Sequence, residues 1–152
     1  MDKIMELLGG FDPAALLPDI SLTVNVIELV ALFFVAALPL LLVILGLCYF
    51  FRPPKEANHN FGYRTYYGMG SVEAWRYAQW LAGLIYMILG GVMLIGAIVL
   101  ITLAWKWSTT ALMETCAICV LVELLLVGAA VITINTILAF RYDRDGYRRT
   151  KE

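Results

Sequence analysis

LVALFFVAALPLLLVILGLCYFF, residues Leu29–Phe51, is 23 residues long and carries no charge. About 20 apolar residues are enough for a helix to cross the hydrocarbon layer of a bilayer. Two more runs match it. Leu81–Trp105 is 25 residues long and uncharged, and Ala111–Phe140 carries only Glu114 and Glu123. None alternates with period two, which argues against a barrel. Only helices and closed barrels satisfy their backbone in lipid. The reading is an all-α membrane protein with three transmembrane helices.

Composition agrees. The chain has 152 residues, 62% of them hydrophobic and 15% charged, with a mean hydropathy of +0.83. A soluble domain carries about 25% charge. The net charge of −1 gives no general pull towards nucleic acid, so no direct nucleic-acid partner is expected. The first partner is the lipid bilayer.

Lys and Arg fix the expected orientation. Arg52, Lys55, Arg64 and Arg76 lie between the first two runs, and Arg141, Arg144, Arg148, Arg149 and Lys151 follow the third. Only Lys3 and Lys106 lie on the other side, nine against two. Basic residues stay cytoplasmic. The N-terminus is therefore expected outside and the C-terminus inside. The N-terminal flank pairs Lys3 with Asp2, Glu6, Asp12, Asp19 and Glu28, the wrong sign for a signal peptide.

The expected divisions follow. Residues 1–26 form an extracytoplasmic interfacial segment, 27–51 the first transmembrane helix and 52–71 a structured cytoplasmic connector. Residues 72–107 form a juxtamembrane and transmembrane helix, 111–140 the third helix and 141–152 a charged cytoplasmic tail. Pro39 should kink the first helix. Ser71 reads as an N-cap, with Glu73 in the first turn. Trp75, Tyr77 and Trp80 suit an interfacial aromatic belt. Gly83, Gly90, Ala97 and Ala104 recur every seven residues as a stripe of small residues. Such a stripe admits a close helix neighbour, within this bundle or in a homo-oligomer.

Two polar residues lie deep in the third run. Glu123 sits near its middle, where an ionised, unpartnered carboxylate costs several kcal/mol. It should face the bundle interior, either as a proton relay or ligand contact or as a protonated carboxyl bonded to a neighbouring helix. Cys116, Cys119, Val127 and Ala130 share its face at helical spacing. Asn135 lies on another stripe with Gly128 and Leu124. Cys48 lies at the opposite depth from Cys116 and Cys119, so one protomer cannot gather all three on one metal. His59 is the only histidine. There is no nucleophile–base pair, P-loop or dinucleotide fingerprint. Neither enzyme activity nor a cofactor or metal is expected.

The connector itself is unusual. Asn58–Trp75 reads NHNFGYRTYYGMGSVEAW, with five aromatics around Arg64 and glycines at 62, 68 and 70. A guanidinium there can bind helix-end carbonyls, lipid phosphate or a carboxylate. Arg64 and Thr65 can equally cap and lock the connector.

Asn60-Phe61-Gly62-Tyr63-Arg64-Thr65, followed by Met69, Ser71, Glu73, Trp75 and Ala78, resembles the signature of the SdpI family. The resemblance runs from Pro53 to Gly146. Gly68 stands where the family pattern has Ser, and Gln79 where it often has Asn. The family consists of bacterial membrane proteins named for an immunity protein against a peptide toxin. The resemblance implies a protein of the bacterial cytoplasmic (inner) membrane that gives immunity or signals by binding. It further implies a peptide toxin met outside or within the membrane, residues 1–26 being a candidate lip, and a cytoplasmic repressor met by the connector and tail. The expected partner-binding or locking residues are Asn60, Phe61, Gly62, Tyr63, Arg64, Thr65 and Trp75, with Arg64 and Trp75 as fasteners. Two other readings stay open. One is an accessory or scaffolding subunit of a larger membrane complex. The other is a small proton-coupled transporter using Glu123.

Overall fold

The computed structural model describes residues 20–55, 61–104 and 106–149. Three long helices make up the fold: α1 (Ile20–Phe51), α2 (Val72–Ala104) and α3 (Thr109–Arg141). All three are long and apolar enough to cross a membrane. At 1.5 Å per residue each runs about 50 Å, well beyond the apolar layer. Among the described residues there is no strand, only one bridge between Tyr142 and Arg148.

α1 begins at Ile20, inside the stretch expected to be interfacial. The reason is local. No Gly or Pro occurs between Ile20 and Pro39, so nothing stops the helix from extending upstream of the apolar run. α2 begins where Ser71 caps it: its Oγ accepts from the Ala74 N–H at 3.1 Å. α2 ends at Ala104, ahead of Trp107. α3 begins earlier than expected because Ser108 caps it through the Ala111 N–H. Thr115, Thr133 and Thr136 each donate 2.8 Å hydrogen bonds to the carbonyl four residues back. Their hydroxyls are thereby satisfied inside an apolar helix.

The small-residue stripe is filled from within the chain. A Cβ on Gly83 would lie 2.7 Å from the Phe50 nitrogen, and one on Gly90 would lie 2.9 Å from the Pro39 oxygen. Gly46 completes the crossing, its own missing Cβ meeting the Met87 nitrogen at 2.6 Å. α1 thus lies backbone to backbone on α2, the geometry that small residues allow. α3 packs far less extensively on either helix.

The buried side chains fall into two groups. One, near the connector, joins Leu42, Tyr63, Ala78, Tyr86, Ile134 and Tyr142. The other, near the opposite end, joins Val35, Ala97, Ala104, Leu112 and Cys116. Large apolar residues such as Phe33, Leu41, Val92, Ile95, Leu125 and Phe140 point outward. That inversion suits a chain whose solvent is lipid.

The tail departs from its expected course. The sequence predicts only a charged tail after α3, whereas residues 142–149 fold back on the bundle. Asp143 donates its N–H to the Tyr147 carbonyl at 2.9 Å. Its Oδ1 accepts from the Asp145 and Tyr147 N–H groups at 3.1 and 2.7 Å. Those local bonds curl the chain into a turn that reaches the start of α2.

Candidate functional site

The connector is a folded structure held by buried polar contacts. Two extended or turn segments must meet the first turns of α2, and each brings backbone N–H and C=O groups that need partners. Gln79 supplies two of them. Its Oε1 accepts from the Tyr63 N–H at 2.7 Å, and its Nε2 donates to the Tyr63 carbonyl at 2.8 Å. Gln79 is wholly buried. One turn earlier on the same face, Trp75 is also wholly buried, and its Nε1 donates to the Pro54 carbonyl at 2.8 Å. The indole therefore ties α2 to the segment leaving α1.

Gly62 fits this arrangement for two reasons. Its φ of +127° lies where side-chain-bearing residues rarely go, and a Cβ there would sit 2.7 Å from the Trp75 ring. Tyr63 then turns inward, its ring edge-on to Tyr86 at 5.8 Å. Phe61 lies over Tyr49 at 5.5 Å. Thr65 is buried, accepting from the Gly68 N–H through its Oγ1 at 2.8 Å.

The tail completes the site. Ser71 Oγ donates to the Gly146 carbonyl at 2.7 Å while capping α2. Gly146 has φ +79°, and a Cβ on it would collide with the Ser71 nitrogen. A Cβ on Gly70 would lie 2.6 Å from the Gly146 nitrogen. Arg141 lays its guanidinium over Tyr77 at 4.1 Å, and Tyr77 in turn contacts Tyr142. Burial raises the Tyr142 hydroxyl above its ordinary pKa, and the Glu73 carboxylate adds to this. Burial likewise raises that of Tyr63.

Of the residues expected to form the site, Phe61, Gly62, Tyr63, Thr65 and Trp75 share this end of the bundle. Arg64 is there too, with its side chain exposed, as are Tyr66, Arg76, Arg144 and Arg148. Asn60 and His59 lie outside the described residues, as do Trp105 and residues 1–19 of the candidate lip at 1–26. Sequence reading marked Gln79 only as a departure from a pattern and gave Gly146 no role. The signal for Gln79 is its place four residues after Trp75, which puts both on one face of α2, away from the charged Glu73 and Arg76.

Glu123 and Asn135 lie elsewhere. Asn135 donates to the carbonyl of Val131 at 3.0 Å, its own helix's backbone. Glu123 is 6% exposed, and its Oε2 has no hydrogen-bond partner. It lines a cavity of about 250 Å³ together with Val35 of α1, Met93, Gly96 and Leu100 of α2, and Cys119 of α3. The cavity lies at the break between the two apolar clusters. A second cavity, of about 400 Å³, lies at the end away from the connector, beside Asn25, Glu28 and Trp107. There Thr109 Oγ1 donates to Glu28 at 2.6 Å.

No group of three or more His, Cys, Asp or Glu residues among the described residues could hold a metal ion. A family model described as the SdpI/YfhL protein family matches residues 55–137, more than half of the chain. No curated protein and no solved structure matches.

Proposed function

The chain belongs to the SdpI/YfhL protein family, and on that premise we propose that it acts by binding, as an immunity and signalling protein against a peptide toxin in a bacterial inner membrane. The observation that carries this reading is the overlap between the matched segment and the connector clasp. Residues 55–137 contain Tyr63, Ser71, Trp75 and Gln79, so the match spans a built polar structure and not only apolar helix.

The clasp is the surface through which a cytoplasmic partner is met. Support comes from its chemistry. Arg64, Tyr66, Arg76, Tyr147 and Arg148 are exposed around it, and exposed aromatic and arginine side chains are the usual anchors of protein interfaces. The orientation is N-terminus outside with the connector and tail inside. The basic residues at the clasp, against Lys106 at the far end, support it. A toxin meets the protein from the far side or within the membrane.

Deleting the gene and challenging the cells with peptide toxins from neighbouring strains tests the reading. Sensitivity to one toxin, restored to resistance by the intact gene and not by a Trp75→Ala copy, is the expected result. Unchanged resistance across a broad toxin panel removes the immunity role.

A further inference from the structure

We propose that the Glu123 cavity binds a small lipophilic amine that enters sideways from the bilayer. This stands apart from the toxin reading and does not depend on it. Three observations meet at this place. The first is a carboxyl group, 94% buried by its 6% exposure, with one oxygen left without a partner. The second is a cavity of about 250 Å³ onto which that carboxyl opens, just below the usual range for drug-sized ligands and so suited only to a small one. The third is access. Gly96, Ile118, Val122 and Leu126 line the cavity and are themselves exposed on the lipid-facing surface, so it opens between α2 and α3.

The lining selects the ligand class. Among the described residues, the only titratable group lining the cavity besides Glu123 is Cys119. α1 contributes only Val35, and α2 only Met93, Gly96, Ala97 and Leu100. No cation in this wall can balance a carboxylate, and an unpaired charge is costly in lipid. A neutral amine dissolves in the bilayer and brings the missing base. On binding, the carboxyl O–H bond breaks and an N–H bond forms. The ammonium–carboxylate pair that results carries no net charge into the apolar layer. An alcohol of the same shape fills the same space and offers only a neutral hydrogen bond, roughly half as strong.

Gly96 supplies a clean way to close the cavity. A Cβ there meets nothing within 4 Å, so a larger side chain grows into space without displacing a helix.

The full chain in phospholipid nanodiscs tests the proposal. An apolar carbodiimide, dicyclohexylcarbodiimide, reports on Glu123. The carboxyl adds across a C=N bond, its proton passing to nitrogen, and the adduct rearranges to a stable N-acylurea that peptide mass mapping locates. The expected result is labelling at Glu123, slowed roughly tenfold or more by 1-aminoadamantane and far less by 1-adamantanol. Equilibrium dialysis of radiolabelled 1-aminoadamantane should show binding that falls roughly tenfold or more in both Glu123→Gln and Gly96→Leu. Equal protection by amine and alcohol, as expected of a cavity that takes only acyl chains, overturns the proposal. So does wild-type Glu123 that the carbodiimide never reaches, or amine binding left intact in Gly96→Leu.

Discussion

Gln79 grips the backbone of Tyr63 at both ends of one residue, accepting from its N–H and donating to its carbonyl, with both bonds shorter than 3 Å. A side-chain amide carries its donor and its acceptor on adjacent atoms and serves both backbone groups at once without a charge. Gln79→Leu should strand both backbone groups, at about 1–3 kcal/mol for each. Chymotrypsin cleavage at Tyr66 and Tyr67 in detergent-solubilised protein should rise steeply. Gln79→Asn is one methylene shorter and should fall between the two. Connector protection that survives Gln79→Leu would show that the clamp is not what holds it.

The glycines give a graded test of helix crossing. Gly83→Ala places a methyl 2.7 Å from the Phe50 backbone nitrogen and should push α1 off α2. Gly91→Ala and Gly128→Ala meet nothing within 4 Å. They should be neutral or raise stability by up to about 1 kcal/mol through helix propensity. Melting followed by circular dichroism in detergent separates them. A Gly83→Ala protein as stable as Gly91→Ala is incompatible with the crossing described.

Gly146→Ala should loosen the tail. The residue has φ +79°, and its neighbours at Gly70 and Ser71 are backbone atoms that cannot swing away. Trypsin should then cut at Arg144 and Arg148 at least several times faster, with α3 itself intact. Unchanged cleavage removes the tail from the clasp.

Tyr142 predicts an alkaline limit. Its folded pKa is raised above the ordinary value of 10.0, by burial first and Glu73 second. The folded state therefore keeps a proton that the unfolded state gives up near pH 10. The stabilising contribution is complete below pH 10 and disappears as pH rises through the folded value. Ultraviolet titration should show Tyr142 ionising above the ordinary value of 10.0, and Tyr142→Phe should remove one late phenol. An unchanged count of late phenols in that variant is the contrary result.

Some of this was legible in the chain, and physics says why. Excluding charge from lipid writes the three helices directly into composition. Ser71 as a cap, the Gly83–Ala104 stripe and the inward Glu123 follow from local spacing alone. Other features depend on facts with no local trace. Gly46 is a single glycine whose partner lies on another helix. Gln79 is one polar letter until Tyr63 is seen beside it. The tail's return depends on Asp143 bonding to Tyr147, so its charges suggested departure while its turn geometry brought it back. The early start of α1 follows from the absence of a breaker between Ile20 and Pro39, a property separate from the apolar run itself.

The two halves of the clasp differ sharply in how far apart their partners lie. Gln79 and Tyr63 are separated by 16 residues, whereas Ser71 and Gly146 are separated by 75. During vectorial synthesis the first contact becomes available as soon as α2 emerges. The second must wait until the whole of α3 has been threaded. A nascent chain arrested between those two points would carry a finished amide clamp beneath an uncovered helix start, so closure of the tail reports that α3 has joined the other two helices.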